Sequence, residues 1–437
     1  MGNEIKILTR IIDRLFPGDS ARRLIARSIY RGLIKNEKMK LIEESVYDNI
    51  RGHFDDIYAN AYEKSSDYVP FEDSGFHLLD NDPKLLAFYL PQYYPFPEND
   101  SFWGKGFTEW SNTTRAIPFF RNHYQPRLPD ELGFYDTRIK DVLKRQIEIA
   151  KMYGIYGFCF HHYWFNGKPL MRVPYNHIMA NPDLDMPFCL HWANEPWSTG
   201  WDGFSSKEGL LLDQKHSPED DIAFIKDIEP ALRDRRYIRI NGRPLLIIYR
   251  PGLFPDMRST IKRWNDYAVA RGIGQLFIAV MQTNFEGQMH PAEYDFDAAV
   301  EYPPHCYSPY LANYYESVPL FYPNSFLNIN SYPEIIQKCL SREKPEYNLF
   351  RGIMPGWDNS ARRKNPFIFI DSTPDLYKKW LMEIIAYTKK NLEPDRQFIF
   401  INSWNEWAEG AYLEPDRRYG FAYLNASRQA ITVSRNS

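Results

Sequence analysis

The segment 402–410 reads Asn-Ser-Trp-Asn-Glu-Trp-Ala-Glu-Gly and follows directly on the apolar run 398–401. Glu406 and Glu409 stand three residues apart among Trp404, Asn405 and Trp407. Paired carboxylates beside aromatic rings are what glycosidic-bond chemistry needs. One acts on the leaving or attacking oxygen, the other on its counterpart, and flat rings hold the sugar. The bland alternative is a pair of solvated loop glutamates, and two flanking indoles argue against it.

Such a pair needs a rigid frame, and the chain supplies a repeating one from residue 84 onward. Eight short apolar runs, at 85–90, 156–162, 187–192, 244–249, 276–282, 296–302, 352–357 and 398–403, are apolar on both faces, as parallel strands covered by helices should be. Helix-period segments lie between several of them, at 136–152, 218–233, 258–271 and 374–392. Ser217-Pro218-Glu219-Asp220 and Ser372-Thr373-Pro374-Asp375 read as helix starts: a cap, a proline, then an acid. Eight strands alternating with helices predict an α/β chain folded as a (β/α)₈ TIM-type barrel with an N-terminal helical extension. A doubly wound sheet would need a glycine-rich phosphate turn, and the chain has neither a G-x-G-x-x-G nor a Walker A motif.

A barrel carries its chemistry where strands end, and polar or aromatic residues recur at those ends. Strand one, with Tyr89, runs into Gln92 and Tyr93; strand two ends His161-His162-Tyr163-Trp164; strand three ends His191-Trp192, then Asn194-Glu195. The later strands end Tyr249-Arg250, Met281-Gln282, Glu301-Tyr302 and Trp357-Asp358, and the eighth leads to the glutamate pair. These residues are the candidate substrate contacts. Glu109 and Trp110 join them, because the long aromatic loop after strand one should wall the cleft. Adjacent His161 and His162 point to opposite faces of a strand, so no metal site is expected from them. No cofactor is expected either.

Residues 1–80 differ from the rest. Residues 1–40 hold ten Lys/Arg against four Asp/Glu, and residues 41–80 hold ten Asp/Glu against two Lys/Arg. Ile5, Leu8, Ile12 and Leu15 recur at helical spacing, and Leu24, Ile25, Ile29 and Leu33 suggest a second helix. The expected organisation is a charged helical extension over 1–80 and a barrel over 84–437. Three readings stand for the extension: it docks on the barrel or a partner, it lays residues 1–40 on an anionic membrane surface, or it is disordered. The whole chain of 437 residues carries a net charge of −3, which gives no reason to expect nucleic acid as a partner. Its 11 Trp, 31 Tyr and 29 Phe suit a carbohydrate site but also a large core. The four cysteines, Cys159, Cys189, Cys306 and Cys339, form no C-x-x-C pair and read as buried thiols of a reducing compartment. With no apolar signal segment at the start, the expectation is a cytoplasmic protein, at the inner face of the membrane if residues 1–40 contact it.

Four stretches together resemble a known family: 86–94 (Leu-Ala-Phe-Tyr-Leu-Pro-Gln-Tyr-Tyr), 103–110 (Trp-Gly-Lys-Gly-Phe-Thr-Glu-Trp), 156–165 (Tyr-Gly-Phe-Cys-Phe-His-His-Tyr-Trp-Phe) and 192–195 (Trp-Ala-Asn-Glu). They are similar to the WbsX-like family, associated with O-antigen and lipopolysaccharide synthesis. That family in turn looks like a relative of glycoside hydrolase family 99, the endo-α-mannosidases and endo-α-mannanases. The resemblance covers 84 to about 425 and implies a (β/α)₈ barrel. Family 99 places its catalytic pair in Asn-Glu-Trp-x-Glu-Gly, which Asn405, Glu406, Trp407, Glu409 and Gly410 fit. The variable position, commonly His, is Ala408 here, which bears on substrate contacts. Carried over, Glu406 deprotonates the sugar 2-hydroxyl, which attacks the anomeric carbon to give a 1,2-anhydro sugar. Glu409 protonates the leaving oxygen, and the reaction retains configuration.

Three function classes follow. The first is hydrolysis or transfer at an α-linked, manno-configured bond of a surface polysaccharide or its lipid-linked precursor. The second is a nucleotide-sugar glycosyltransferase of polysaccharide synthesis. It would need a nucleotide site, often with a metal-binding D-x-D, and Asp183-Leu184-Asp185 and Asp295-Phe296-Asp297 fall at the wrong ends of their strands. The third is a non-catalytic glycan-binding protein, against which the intact glutamate pair argues. The oligo- or polysaccharide is the expected partner, and the sequence sets no oligomeric state.

Overall fold

The structure is a computed structural model that describes residues 38–198, 209–285, 287–322 and 326–435. Eight parallel strands form its centre: β1 (Lys84–Tyr89), β2 (Ile155–Phe165), β3 (Phe188–Trp192), β4 (Arg243–Ile248), β5 (Phe277–Gln282), β6 (Ala298–Glu301), β7 (Leu349–Ile353) and β8 (Phe398–Ile401). Each pairs with its neighbours in sequence, and β1 pairs with both β2 and β8, so the sheet closes into a barrel. Val, Ile, Leu and Phe dominate these strands because both faces are buried, one inside the barrel and one under helices.

Helices α1 (Lys140–Met152), α2 (Val173–Ala180), α3 (Pro218–Arg233), α4 (Met257–Ala270), α5 (Tyr332–Leu340), α6 (Pro374–Asn391) and α7 (Ala422–Ser434) form the outer layer. The link from β5 to β6 is only a 3₁₀ turn, Pro291–Tyr294. Two helix starts follow the expected chemistry. The Ser217 side chain accepts from the Asp220 N–H and that of Thr373 from the Leu376 N–H, each with proline in the first turn. The outer layer packs through large rings. Phe224 of α3 stacks on Trp192 of β3 with centroids 4.0 Å apart, and Trp264 of α4 lies 5.3 Å from Phe224. Truncating such a buried ring costs about 3–5 kcal/mol.

The eight expected strands are all present, with two adjustments. Strand β2 runs on to Phe165 and folds back as the short antiparallel strand Lys168–Leu170. Strand β7 covers Leu349–Ile353, ahead of the expected 352–357. Beyond Ile353 the chain leaves the sheet: Pro355 has no N–H to give the ladder, the Trp357 carbonyl accepts from Phe369 N, and Asp358 N donates to the Glu409 carbonyl at 2.6 Å.

Residues 38–62 form a helix that docks on the barrel's loops. Asn60 Nδ2 donates to the carbonyls of His123 (2.8 Å) and Gln125 (2.9 Å), and Asp56 accepts from Asn122 N at 2.6 Å. The helices expected around Ile5–Leu15 and Leu24–Leu33 lie outside the described residues. No described helix is long and apolar enough to cross a membrane.

Candidate active site

The barrel's register decides which strand-end residues meet. His161 of β2 lies level with His191 of β3, and His162 with Trp192. Alternation then turns His161, Tyr163 and His191 inward and His162 and Trp192 outward. The inward set opens into a cleft of about 490 Å³. Glu406 and Glu409 line one side of it, together with His161, Tyr163, His191, Glu195 and Arg250. A larger, shallower hollow of about 900 Å³ lies over Tyr314, Tyr315 and Phe326, with Glu316 as its one carboxylate, so it lacks a convergent acid–base pair.

The glutamate pair owes its geometry to a small hairpin. Asn405–Glu406 pairs antiparallel with Ala411–Tyr412, and Trp407–Glu409 forms a single 3₁₀ turn between them. Glu406 ends the first strand of the hairpin and Glu409 ends the turn, and both line the cleft. Gly410 closes the turn at φ 60°, and a Cβ there would meet Asp358 Cβ at 3.0 Å and Arg127 Cζ at 3.1 Å. Asn405 staples the hairpin to the end of β1: its Oδ1 accepts from Leu90 N at 2.8 Å and its Nδ2 donates to Leu90 O at 3.0 Å. Below, Trp407 stacks on Tyr412 at 3.9 Å and donates through Nε1 to Glu414 at 2.7 Å. Gln146 Nε2 and Tyr135 OH also donate to Glu414, whose pKa burial pushes up to about 7 against those hydrogen bonds.

The two glutamates have unequal surroundings. Arg362 Nη1 lies 3.1 Å from Glu409 Oε1 and 3.6 Å from Glu109 Oε1. Burial alone would lower the Arg362 pKa, but Glu109, Glu409 and Glu406 raise it, so Arg362 stays a cation. Glu406 has no such partner. Its nearest basic group is His161, with Nε2 at 3.7 Å from Oε1, and its Oε2 is buried without a hydrogen bond. Burial raises the Glu406 pKa well above the usual carboxylate range, with Glu409 and Glu109 adding to the shift and Arg362 opposing it. Glu109 is likewise raised, by burial first.

Many expected contact residues stand outside the lining, for identifiable reasons. Tyr89 faces outward and donates to Gln146 Oε1 at 2.8 Å. His162 lies under α3 beside Phe224 and Asp227, and Trp164 donates to Asp220 Oδ1 at 3.0 Å. Gln282 donates to Tyr347 OH, and Glu301 is enclosed by Arg342, Arg351 and Tyr307. All these positions share the outward parity of the strands. A second group supports the loops from beneath. Buried Gln92 accepts Glu109 N at its carbonyl, Tyr93 OH donates to the Asn405 carbonyl, and Trp110 Nε1 donates to Tyr135 O. Asn194 brackets the Arg250 backbone at 2.7 and 2.8 Å. Asp358 accepts from His123 and Gln125 at 2.8 Å each. Trp404 packs on Phe158, and Trp357 is buried with its ring edge-on to His305. Glu109 lies behind Arg362 with its carboxylate fully buried.

Glu195 reaches the cleft but is ion-paired with Arg250 Nη1 at 2.6 Å, and Arg250 stacks on the half-exposed ring of Phe285 at 3.8 Å. Phe285, His305, Arg362 and Arg363 line the cleft without having been singled out in the sequence. They lie in loops after β5, β6 and β7, where no periodicity marks them. Tyr249 and Tyr302 line it as well, and strand parity with His161 selects both, Tyr249 beside Arg250 and Tyr302 in place of Glu301. Ala408 does not face the cleft: it is fully buried against Ala116 and Ala361, so that position makes no substrate contact here. The D-x-D carboxylates are remote. Asp185 pairs with Lys151 at 3.2 Å and Asp297 with Arg243 at 2.7 Å. Among the described residues no group of three or more His, Cys, Asp or Glu is placed to hold a metal ion.

Comparison with known proteins gives three results. Residues 85–427 match the sequence family described as Glycosyltransferase WbsX. A relative from Xanthomonas campestris pv. campestris (strain B100), named Uncharacterized protein WxcX, is 43% identical over 349 residues, 80% of this chain and 49% of the relative. The chain therefore spans about half the length of the curated relatives it matches. Among solved structures, the glycoside hydrolase family 99 endo-α-mannosidase from Bacteroides thetaiotaomicron aligns with a TM-score of 0.50 and 14% identity, over 82% of this chain and 98% of that one. That likeness is one of fold.

Proposed function

We propose, from the premise that this chain belongs to the glycosyltransferase WbsX family, that its cleft cleaves or transfers an α-linked glycosidic bond through Glu406 and Glu409. The observation that carries this reading is the pair itself: Glu406 and Glu409, at the two ends of one hairpin turn, line the same cleft, one against Arg362 and one with no arginine in salt-bridge range. Acid–base chemistry at a glycosidic oxygen requires one protonated and one ionised carboxyl group. Arg362 lies 3.1 Å from Glu409, and burial raises the Glu406 pKa, so the two carboxyl groups stand in different surroundings. The manno configuration rests on the Asn405-Glu406-Trp407-x-Glu409-Gly410 match to family 99, because a 2-hydroxyl nucleophile needs that group on the face opposite the leaving oxygen. In that scheme Glu406 is the base and Glu409 the acid. Burial raises the Glu406 pKa, so Glu406 must give up a proton before it can activate the 2-hydroxyl.

The target is an oligo- or polysaccharide, read as a surface glycan or its lipid-linked precursor. Hydrolysis and transglycosylation use the same two glutamates and differ only in whether water or a sugar hydroxyl accepts. The family's description favours a second reading, transfer from a nucleotide sugar. The remote D-x-D carboxylates count against it, since they offer no metal-held diphosphate near Glu406.

Glycan release from α-mannan, and turnover of an α-mannoside with an activated aryl leaving group, test this reading with Glu406→Gln and Glu409→Gln. Both substitutions should lower mannan release by about 10²–10⁴-fold. Glu409→Gln should keep most turnover of the aryl substrate, whose leaving group needs no proton, and Glu406→Gln should lose it. A product formed only when a nucleotide sugar is supplied, and insensitive to both substitutions, would replace this reading with the second.

A further inference from the structure

The floor of the cleft holds a pair of histidines that the two-glutamate scheme does not use. His161 Nδ1 and His191 Nδ1 are 2.8 Å apart, a direct consequence of their level register on β2 and β3. Phe88 fixes both rings, stacked on His161 at 5.7 Å and edge-on to His191 at 5.5 Å. The outer nitrogens, His161 Nε2 and His191 Nε2, are buried without a hydrogen-bond partner, as is Glu406 Oε2. His161 Nε2 points at Glu406, 3.7 Å from Oε1. Both rings line the same cleft as the glutamates.

A hydrogen bond between two Nδ1 atoms allows only one of them to carry a proton. Two neutral imidazoles so joined must therefore be opposite tautomers. Burial keeps them neutral: it lowers the His161 pKa to about 4 and, with His161 adding to the effect, pulls that of His191 well below its ordinary value. The tautomer of one ring thus sets that of the other, and Glu406 sets the first. A protonated Glu406 that closes its 3.7 Å gap to His161 Nε2 donates to it. His161 then carries Nδ1–H, His191 accepts at Nδ1, and His191, a residue of the cleft lining, carries Nε2–H. When Glu406 is ionised, every one of these assignments reverses and His191 Nε2 becomes an acceptor.

We propose that His161 and His191 form a neutral tautomer relay that carries the Glu406 proton to a ligand oxygen at His191 Nε2 and back. The step is a shift of three protons. One moves from Glu406 to His161 Nε2, one from His161 Nδ1 to His191 Nδ1, and one from His191 Nε2 to a bound water or sugar hydroxyl, which releases its own proton to solvent buffer. No charge remains on either ring, and Glu406 is left ionised. The relay rests on the glutamate-pair reading and gives it an exit for the proton on the group meant to act as base. The other ionisable groups facing Glu406 are Glu409, Glu109 and Arg362 on one side and the phenols of Tyr163, Tyr302 and Tyr93 on the other. Burial raises all three phenols well above their usual range, and Tyr249, edge-on to His191, is raised by burial too. Phenols therefore do not compete for the proton.

Imidazole nitrogen NMR on the full chain with ¹⁵N-labelled histidine tests the relay without any substrate. The N–H···N scalar coupling between the two Nδ1 atoms identifies the pair in the unsubstituted chain, so no histidine variant need fold. The expected result is one Nδ1–H and one Nε2–H ring. The two should exchange tautomers together as pH rises through the Glu406 titration, and Glu406→Gln should abolish the exchange. Fixed tautomers at every pH, or an exchange that survives Glu406→Gln, would overturn the relay and leave a purely structural pair. A relay seen in this way alongside no glycan turnover would overturn the glycosidic reading alone.

Discussion

Two glutamates, Glu301 and Glu406, follow a similar prescription: a carboxyl group at or just beyond the end of a barrel strand, buried, near arginine. They titrate in opposite directions. Glu301 faces outward into the helix layer, where Arg351 Nε lies at 2.8 Å, Arg342 Nη1 at 3.0 Å and Gly352 N at 3.1 Å. Burial pushes its pKa up, but Arg351 and Arg342 overcome that and hold it below the ordinary value. Glu406 faces inward, where the one nearby arginine is taken by Glu409 and Glu109, and its pKa is raised. Burial is common to both, so it does not set the direction of the shift. The number of bonds that satisfy the charged form does.

The largest expected effect lies on the structural side. Glu301→Gln leaves Arg342 and Arg351 buried without their counter-charge and should cost about 3–5 kcal/mol, read as a lower denaturant midpoint. Glu406→Gln should leave that midpoint unchanged or raised. A Glu301 variant as stable as the native chain would remove the distinction. Next comes Gly410→Ala, which tests whether the inward pair depends on its turn. A positive φ costs a β-carbon residue about 1–2 kcal/mol, and the added Cβ presses on Asp358. Glycan turnover should fall by about 10²-fold from displacement of the pair alone. Undiminished turnover would show that the turn does not position the carboxylates.

The smallest effect is the pH dependence of the Glu406→Gln melting temperature. A raised folded pKa means that the folded chain holds a proton the unfolded chain has released. Native stability should then fall as pH climbs from the unfolded carboxylate value of about 4.3 toward the folded one. Glutamine carries no such dependence. The variant should match the native chain in acid and gain on it by at most about 1.4 kcal/mol over each pH unit of that window. A gain that shrinks with rising pH would place Glu406 with Glu301.

The same opposition of faces explains how much of the site was legible. The alternation of apolar runs and helical segments carried the barrel, because parallel strands buried on both sides have few other sequences available to them. The Glu406–Glu409 spacing stood out because two carboxylates among three aromatic or amide neighbours are hard to place in a core. Strand ends were legible as positions but not as directions. His161 and His162, or Glu301 and Tyr302, look equivalent in one dimension, and only the closed sheet assigns one of each pair to the cleft. Arg362 carried no signal at all. It sits in an irregular segment far along the chain from both Glu109 and Glu409, and its role arises from their meeting.

The sequence by itself determined the strand–helix alternation, the helix starts at Ser217 and Thr373, and the identity of the paired carboxylates. These are local properties, set by side-chain period, capping and spacing. Tertiary structure alone decided the inequality of Glu406 and Glu409, the Nδ1 contact of His161 with His191, and the retreat of Ala408 from the cleft. Each of these depends on which distant groups share a low-dielectric space. Electrostatics and hydrogen bonding act through that space, not along the chain.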